Sequence, residues 1–425
     1  MMARLAAVSL LVAVTARAAE VTDVATAGDE KRPFEIDLAA TWSHLRQTTT
    51  IGREVTSAKG IVLQDELTHV RTLDTTNFRL AVGLWHDLEL HGWVNVAVHD
   101  EQTWSYAPGV TAASSSLSNN TINLSGCANP ASCTRVQPIV AVPGQSEHTG
   151  LYDPTVGIAW KPVSEWRELK VSDDLFIPGF PVASWAIGFD YTLPVGGRLD
   201  DPSRFVSGQA AGATGESRKT SVLSLWTAYS KRYRLFEPYV RFEGDYSFAG
   251  SDAYDNCSHP ELLSAVAAAN CSGSFKGQTG YQPPVEAAAS AGTELVAFED
   301  RARDRRVAID LRGNLRWHGP QRGYTQMTDA LGKLTYSEEY LTASGQLGVY
   351  GRIARWMHAR LFGTLGTDTG HFITSEAFGT GPRAGSTAAA GQNPNFDFRT
   401  DQVGRRLKAE PAAFWGLTFT ASIDF

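Results

Sequence analysis

Apolar and polar residues alternate with a period of two in many short stretches of this chain. The same alternation runs through residues 88–98, 236–248 and 306–317 and returns at the end of the chain. The main apolar positions of that terminal stretch are Trp415, Leu417, Phe419, Ile423 and Phe425. A period of two places alternate side chains on opposite faces of a β-strand. Only residues 261–270 have a composition that would suit a short helix, so the sequence predicts an all-β protein.

The connections between these stretches are of two kinds. Residues 85–87, 231–234 and 354–356 form very short joins. The long joins, rich in Gly, Ser, Ala and Asn, cover residues 105–149, 194–216, 250–290 and 372–411. A soluble β-sandwich would also alternate, but loops of this length are uncommon within a compact domain. Tight turns on one side and long loops on the other are typical of outer-membrane β-barrels.

The direction of the strands gives their number. Residues 338–353 enter a short inner turn, so the strand at 304–318 must run outward and an inward strand must precede it; residues 292–299 supply that strand. The predicted strands are 34–46, 66–85, 88–104, 150–161, 183–193, 217–230, 235–248, 292–299, 304–318, 338–353, 357–371 and 413–425. We therefore expect a transmembrane antiparallel β-barrel of about 12 strands, in a range of about 10–14, with long extracellular loops.

The beginning of the sequence has the features of an export signal. Arg4 precedes an apolar stretch at 5–16, and Ala16-Arg17-Ala18 has the small-x-small pattern of a cleavage site. We expect a signal peptide at 1–18, a flexible periplasmic N-terminus at 19–33 and an outer-membrane barrel at 34–425; an uncleaved anchor is the alternative. After residue 20 no apolar stretch approaches the roughly 18 residues that a membrane helix needs.

Four cysteines lie in two local pairs, Cys127 with Cys133 and Cys257 with Cys271. In an exported protein such pairs predict two disulfides that close loops. A metal site is the weaker interpretation, because the spacing does not match a C-x₂₋₄-C motif. We expect no metal.

Charge and motifs exclude several functions. The net charge of −7 lacks the basic surface that nucleic-acid binding requires. The sequence contains no P-loop, H-E-x-x-H, dinucleotide-binding or G-x-S-x-G motif. We therefore expect no cofactor and no enzyme. A barrel hydrolase built from a serine, a histidine and an acid on separate strands is the alternative, because it would leave no local motif.

The polar faces of the strands give the candidate lining of the lumen. The candidate residues are Glu89, His91, Asn95, Asp190, Glu237, Arg241, Glu243, Asp245, Arg306, Asp310, Arg312, Arg316, Arg352 and Arg360. Barrels of about eight strands are filled by side chains and those of about sixteen are open, so we expect a narrow lumen partly blocked by in-folded outer loops. Facing arginine and acid clusters would favour polar or zwitterionic solutes. Alternatively, these charges pair across the lumen and fill a closed structural or receptor barrel.

Several features concern the membrane and its machinery. Tryptophans near the predicted strand ends would form interfacial girdles in outer-membrane lipid. These residues are Trp42, Trp85, Trp104, Trp185, Trp317, Trp356 and Trp415. The alternating end at Phe425 resembles the C-terminal signal that outer-membrane barrels present to the barrel assembly machinery, which would involve Trp415, Leu417, Phe419 and Ile423 as well.

Short motifs add a family resemblance. They are Gly83-Leu84 followed by Leu88-Glu89-Leu90, then Gly157, then Leu193-Pro194-Val195-Gly196. Together they resemble outer-membrane transporters grouped with the phenol-degradation (meta-pathway) channel, with Val195 where that group usually has Thr. The cysteine-bearing outer loops depart from the pattern. The resemblance implies passive uptake of small-molecule solutes, hydrophobic or aromatic ones included.

Overall fold

The alternating stretches form twelve long antiparallel strands in the computed structural model. The strands are β1 (Ile36–Ser57), β2 (Gly60–Trp85), β3 (Leu88–Tyr106), β4 (Thr155–Ser172), β5 (Leu175–Thr192), β6 (Thr220–Lys231), β7 (Phe236–Ala249), β8 (Val285–Asp300), β9 (Arg305–His318), β10 (Tyr340–Ala354), β11 (Met357–Asp368) and β12 (Ala412–Asp424). The structure describes residues 19–29, 32–118, 139–140, 142–172, 175–197, 217–233, 235–258, 271, 279–300, 305–354, 356–376, 394–397 and 399–425.

Pairing between the first and last strands closes the sheet into a barrel. β1 pairs with β2 on one side and with β12 on the other. The backbone N–H of Phe425 donates to the carbonyl oxygen of Ile36 at 2.9 Å, so the last residue is held in the sheet. A closed sheet has no unpaired edge. The predicted twelve-stranded antiparallel barrel is confirmed, including its least regular strand, which lies within β8 and pairs with β7 and β9.

The outer surface of the barrel is a continuous apolar belt. Along β12 the exposed side chains include Trp415, Leu417, Phe419 and Ile423, whereas the residues between them face inward. Every other strand with described side chains repeats the pattern, so the apolar surface far exceeds the few hundred Å² that soluble proteins tolerate. In a lipid bilayer, hydrocarbon covers such a belt. A closed barrel leaves no backbone N–H or C=O group in the hydrocarbon without a hydrogen-bond partner. The strands therefore span a membrane. The part played by the terminal residues in assembly stays a prediction.

None of the helices in the described part of the chain combines the length and the apolar character needed to cross a bilayer.

Most of the predicted girdle tryptophans lie on the outer surface. The exposed ones are Trp42, Trp85, Trp185, Trp317, Trp356 and Trp415. The prediction was wrong for Trp104, which is only 3% exposed. Its ring lies 5.3 Å from that of His69 and its Nε1–H donates to the carbonyl oxygen of Gln326 at 2.8 Å, so this side chain faces the barrel interior under the outer loop. A register shift between Asp74 and Thr75 turns the outer part of β3 this way.

Outer loops form a cap with a hydrophobic core of its own. The core residues of this outer cap are Ile51, Leu67, Trp104, Leu117, Ile139, Val140, Met327, Ile373, Leu407 and Ala409. A short helix, α1 (Thr328–Leu331), lies in the loop between β9 and β10, flanked by the paired strands Gln321–Gly323 and Thr335–Ser337. The predicted disulfide between Cys257 and Cys271 is confirmed in the loop after β7. Cys127 and Cys133 lie outside the described residues.

A second insertion occupies the inner end of the lumen, the end that carries the short turns. We call residues 19–29 the inner segment. It contains a 3₁₀ turn, Glu20–Thr22, and a strand, Ala27–Asp29, that pairs with Arg32–Phe34. Val24 packs against Ala159, Ala186 and Trp226 on the inner faces of β4 to β6. Residues 19–29 are thus packed inside the barrel, because their apolar side chains meet an apolar part of the wall. The flexibility expected of residues 19–33 stays a prediction.

Candidate functional site

All of the predicted lining residues lie on the inner face of the barrel. The regular alternation of each strand sets this placement. On β9, for example, Asp310 is 3% exposed, whereas its neighbours Ile309 and Leu311 are 38% and 58% exposed on the lipid side. The inner faces of β3, β5, β7, β9, β10 and β11 supply the fourteen side chains.

The ion pairs recorded for Arg312 and Arg241 in the described part of the barrel run along the wall. Arg312 donates to Asp310, two residues before it on β9, at 3.0 Å, and to the hydroxyl of Tyr239 at 2.8 Å. Arg241 donates to Glu243, two residues after it on β7, at 2.8 Å. Both pairs therefore use neighbours on the same strand and leave the space in front of them open.

Two further arginines bind carboxylates on the next two strands. Arg316 on β9 contacts Glu286 on β8 at 2.7 Å, and it contacts both Glu243 and Asp245 on β7 at 3.0 and 3.1 Å. Arg352 on β10 donates to Asp424 on β12 at 2.9 Å. Of the predicted polar residues, Asn95 bonds to Asn77 on the adjacent strand at 2.6 Å. Pairing of this kind neutralises the wall without filling the lumen.

His91 is held between two carboxylates. Its Nε2 lies 2.7 Å from Asp190 Oδ1, and its Nδ1 lies 2.8 Å from Glu89 Oε1. Asp190 Oδ2 also accepts the indole N–H of Trp226 at 3.0 Å. Gly157 makes this arrangement possible: a Cβ there would lie 2.0 Å from Asp190 Oδ1, so only glycine leaves room for the carboxylate.

An inner cavity of about 430 Å³ lies between the wall and the inner segment. Arg241, Arg312 and Arg360 line it from β7, β9 and β11. The carboxylates of Asp37, Glu89 and Asp190 line it from β1, β3 and β5, on the opposite half of the barrel. Arg79 on β2 lies among the carboxylates, 3.7 Å from Asp37. Guanidiniums thus lie mainly on one side of this cavity and carboxylates mainly on the other, while several of them are also paired with neighbours on the wall.

Aromatic rings accompany the arginines of the inner cavity. The guanidinium of Arg241 lies over the Trp226 ring, 4.3 Å from its centre, and that of Arg360 lies over Phe362 at 5.3 Å. Trp93 lines the same cavity. Ring faces attract cations and stack with other flat groups. The cavity therefore offers guanidiniums, carboxylates and ring faces together.

An outer cavity of about 250 Å³ lies below the outer cap. Four histidines line it: His69, His148, His318 and His371. Tyr340 lies between His318 and His371, with ring centres 4.3 and 4.1 Å apart. From α1, Asp329 reaches into this cavity and contacts His148 at 2.7 Å and Ser146 at 2.5 Å. The expected blockage by an in-folded outer loop is found here.

Three residues near the inner end could hold a cation. The side-chain atoms of Asp37, His358 and Asp424 lie within 4.8 Å of one another. However, Arg352 donates to Asp424 and Arg79 lies near Asp37, so arginine already balances these carboxylates. We assign no metal to them. The sequence reasoning missed this cluster, as it missed Trp226 and Tyr239, because none of their residue types alone marks a site.

The packing of the outer cap should depend on pH through Asp401. Burial raises the pKa of its carboxyl to about 7, with nearby Asp397 acting in the same direction and Lys333 opposing it. In an opened loop the same carboxyl would titrate at 3.8. At a pH between these two pKa values, the Asp401 carboxyl is ionised in the opened loop and protonated in the packed loop. We therefore expect the packing to weaken as pH rises from about 4 to about 7 and to stay constant above.

Hydrogen exchange of residues 399–409 measures this effect. After correction for the intrinsic rate, protection in the native chain should fall across that pH interval. Asp401→Asn, which cannot ionise, should not show this fall. Equal slopes in the two proteins would mean that Asp401 does not control the cap.

The closed sheet, the apolar belt and the polar interior together define an outer-membrane β-barrel. No protein-family model and no curated protein sequence matches the chain. Among solved structures it is similar to the COG4313 outer membrane channel from Pseudomonas putida F1, at 11% identity and a TM-score of 0.41, over 91% of this chain and 95% of that one. A FadL homologue from Pseudomonas aeruginosa gives 9% identity and a TM-score of 0.33, over 92% and 90%.

The outer membrane protease OmpT from Escherichia coli is also similar, at 6% identity and a TM-score of 0.28, over 92% of this chain and 96% of that one. These neighbours include both channels and an enzyme. At such values the similarities carry no argument about activity, and the function has to be inferred from the interior of this barrel.

Proposed function

We propose that this protein is an outer-membrane channel for the passive uptake of small solutes. The observation that carries the proposal is the inner cavity, where arginines of β7, β9 and β11 face carboxylates of β1, β3 and β5. Because the ion pairs of Arg241, Arg312, Arg316 and Arg352 lie on the same or nearby strands, these pairs leave the lumen in front of them available to a solute. Buried charges that served only to fill a closed barrel would be expected to meet across it.

The chemistry of the cavity favours a particular class of solute. A guanidinium binds carboxylates and similar anionic groups through directed hydrogen bonds. The carboxylate half suits an ammonium or a hydroxyl donor, and Trp93 offers a ring face beside it. We therefore propose small zwitterionic or aromatic polar solutes. A bare hydrocarbon chain would leave these polar groups without water or partners, which is costly.

Conductance across planar bilayers tests the proposal. The purified barrel should conduct, and Arg312→Glu should shift the permeability ratio toward cations by about two- to fivefold, because it reverses one charge on the lining. Arg305→Glu is the matched control: it lies on the same strand but on the outward side at the inner rim, so its effect should be much smaller. Equal shifts in both variants would mean that Arg312 does not face the path.

A closed structural or receptor barrel is the second candidate. The observation in its favour is that the outer cap and the inner segment obstruct both ends of the lumen. Such a barrel would show no conductance, and charge reversal at Arg312 would then change nothing.

The hydrolase alternative requires a histidine that can accept a proton from a serine. His91 does not fit this role, because Asp190 and Glu89 face its two ring nitrogens. A hydrolase would reveal itself as turnover of ester or lipid substrates that a single serine or histidine substitution abolishes. We propose a transport function without catalysis.

A further inference from the structure

The inner segment begins at a residue with an unusual environment. Ala19 is 0% exposed, and its backbone nitrogen donates a hydrogen bond to the side chain of Glu237, which is itself only 1% exposed. The cleavage pattern Ala16-Arg17-Ala18 ends directly before this residue. The nitrogen that cleavage would expose is therefore the atom that contacts a buried carboxylate of the barrel wall.

The surrounding contacts fix Ala19 in place. The backbone N–H and the hydroxyl of Thr22 both donate to the carbonyl oxygen of Ala19 at 2.9 Å. The same hydroxyl lies 3.0 Å from that of Ser230 on β6. Farther along, the N–H of Ala25 donates to Glu89 at 2.6 Å. The segment thus crosses the inner end of the lumen between two acidic side chains of the wall.

Glu237 lies within reach of two arginines, Arg306 and Arg232. Arg306 donates to Glu237 at 3.3 Å and to Glu294 at 2.8 Å, so these two carboxylates share its guanidinium. A buried carboxylate is stabilised when a charged donor stays close to it, and withdrawal of that donor is costly. An ammonium at Ala19 would add a full positive charge in direct contact with Glu237.

We propose that removal of the signal peptide after Ala18 creates an α-ammonium group that ion-pairs with Glu237 and thereby locks the inner segment in the barrel. The export peptidase hydrolyses the Ala18–Ala19 bond with one water molecule. The hydroxyl joins the Ala18 carbonyl carbon and one proton goes to the Ala19 nitrogen. At neutral pH the new carboxylic acid then releases a proton and the amine takes one up. No oxidant or reductant is involved.

The precursor can make only a weaker form of this contact, through the single amide hydrogen of Ala19. Its Ala19 nitrogen is a neutral amide with one hydrogen, whereas the mature terminus has three donors and a full positive charge. The gain in charge-assisted hydrogen bonding arises only after processing. The inner segment is thus held more strongly in the mature protein than in the precursor, and this holds whether or not the barrel conducts.

The test measures the reactivity of the terminal amine. Mature barrel isolated from outer membranes is sequenced from its N-terminus and then treated at neutral pH with formaldehyde and cyanoborohydride, folded and after denaturation. The N-terminal peptide should begin at Ala19. Its amine should react at least about tenfold more slowly in the folded barrel, since a buried group reacts only through local opening.

Variants of the acidic pair identify the partner. Glu237→Gln should bring the reactivity of the folded barrel close to that of denatured protein, and Glu237→Asp should preserve part of the protection. Glu294→Gln is the matched control, because it removes a neighbouring carboxylate that Ala19 does not contact. Unboiled electrophoretic migration shows which variants are folded.

Three results would overturn the proposal. One is a mature chain that begins at another residue. Another is equal amine reactivity in folded and denatured native protein, which needs no variant. The third is equal protection in folded Glu237→Gln and folded Glu294→Gln.

Discussion

Removal of both the inner segment and the outer loop that carries α1 is expected to raise the single-channel conductance by at least about tenfold. Removal of either one alone should change the conductance far less. The physical reason is that the two obstructions lie in series along the lumen. When one barrier is removed, the other still limits the current. The double variant should therefore exceed the sum of the single effects, which a single obstruction could not produce.

The two changes can be made without touching the barrel wall. A deletion of residues 21–29 keeps Ala19 and Glu20 behind the cleavage site. A glycine-serine linker in place of residues 326–333 removes α1 and Met327 but keeps the strand pair Gln321–Gly323 with Thr335–Ser337. Planar-bilayer recordings of the four proteins give the measurement. A folded double variant that carries no current would establish a closed structural barrel and end the channel proposal.

A glycine substitution gives an independent check in a chain of full length. A Cβ at Gly83 would lie 2.3 Å from the carbonyl oxygen of Thr26, so Gly83→Ala must push the inner segment away. In the linker background this variant should reproduce part of the gain in conductance. Gly351→Ala is its control, because a Cβ there meets nothing within 4 Å. A similar conductance in both would mean that the inner segment does not limit the current.

The inner face of the barrel could be predicted because a strand has a fixed period. Once Ile309 and Leu311 are recognised as lipid-facing, Asp310 and Arg312 must face the interior. The same alternation predicted that the side chains of Glu237 and Arg360 face the lumen. The strand number could be predicted because successive strands must cross the membrane in opposite directions. This rule required an inward strand before 304–318, and the weakly alternating segment 292–299 supplied it.

Where a strand is irregular, the alternation no longer predicts which face a residue occupies. Alternation counted from His91 would put His99 on the inner face. A register shift between Asp74 and Thr75, opposite Ala97 and His99, moves the later residues by one position. His99 consequently contacts Glu147 at 3.3 Å on the other face. A slip of one residue exchanges the two faces, and the local sequence gives no sign of it.

The contacts that make the candidate site could not be predicted, because they join distant parts of the chain. Glu89 and His91 lie on β3, but Asp190, which completes the arrangement, lies on β5, separated by nearly a hundred residues and one intervening strand. Only the pairing order brings them together. Trp226 and the inner segment were missed for the same reason. Gly83 and Gly157 were noted for a resemblance, and the structure shows why glycine is needed there.

Replacement of Arg306 by methionine should lower the free energy of unfolding by about 3–5 kcal/mol, because it takes the shared guanidinium away from two buried carboxylates. Arg241→Met is the matched control. Its partner Glu243 is two residues away on the same strand and the pair is partly exposed in the lumen, so a loss of about 0–1 kcal/mol is expected. Denaturant titration of the barrels in lipid vesicles measures both. Losses of equal size would show that burial does not distinguish the two arginines.

Second-site changes extend the Arg306 prediction to the amino terminus. If the ammonium of Ala19 stays beside Glu237 after Arg306→Met, then Glu294 is the carboxylate that has lost its nearest cation. Glu294→Gln should then recover more of the lost stability than Glu237→Gln, which would also remove the partner of the ammonium. Without an ammonium at Ala19 the two glutamines should recover similar amounts, since each removes one of two carboxylates that have lost the same arginine.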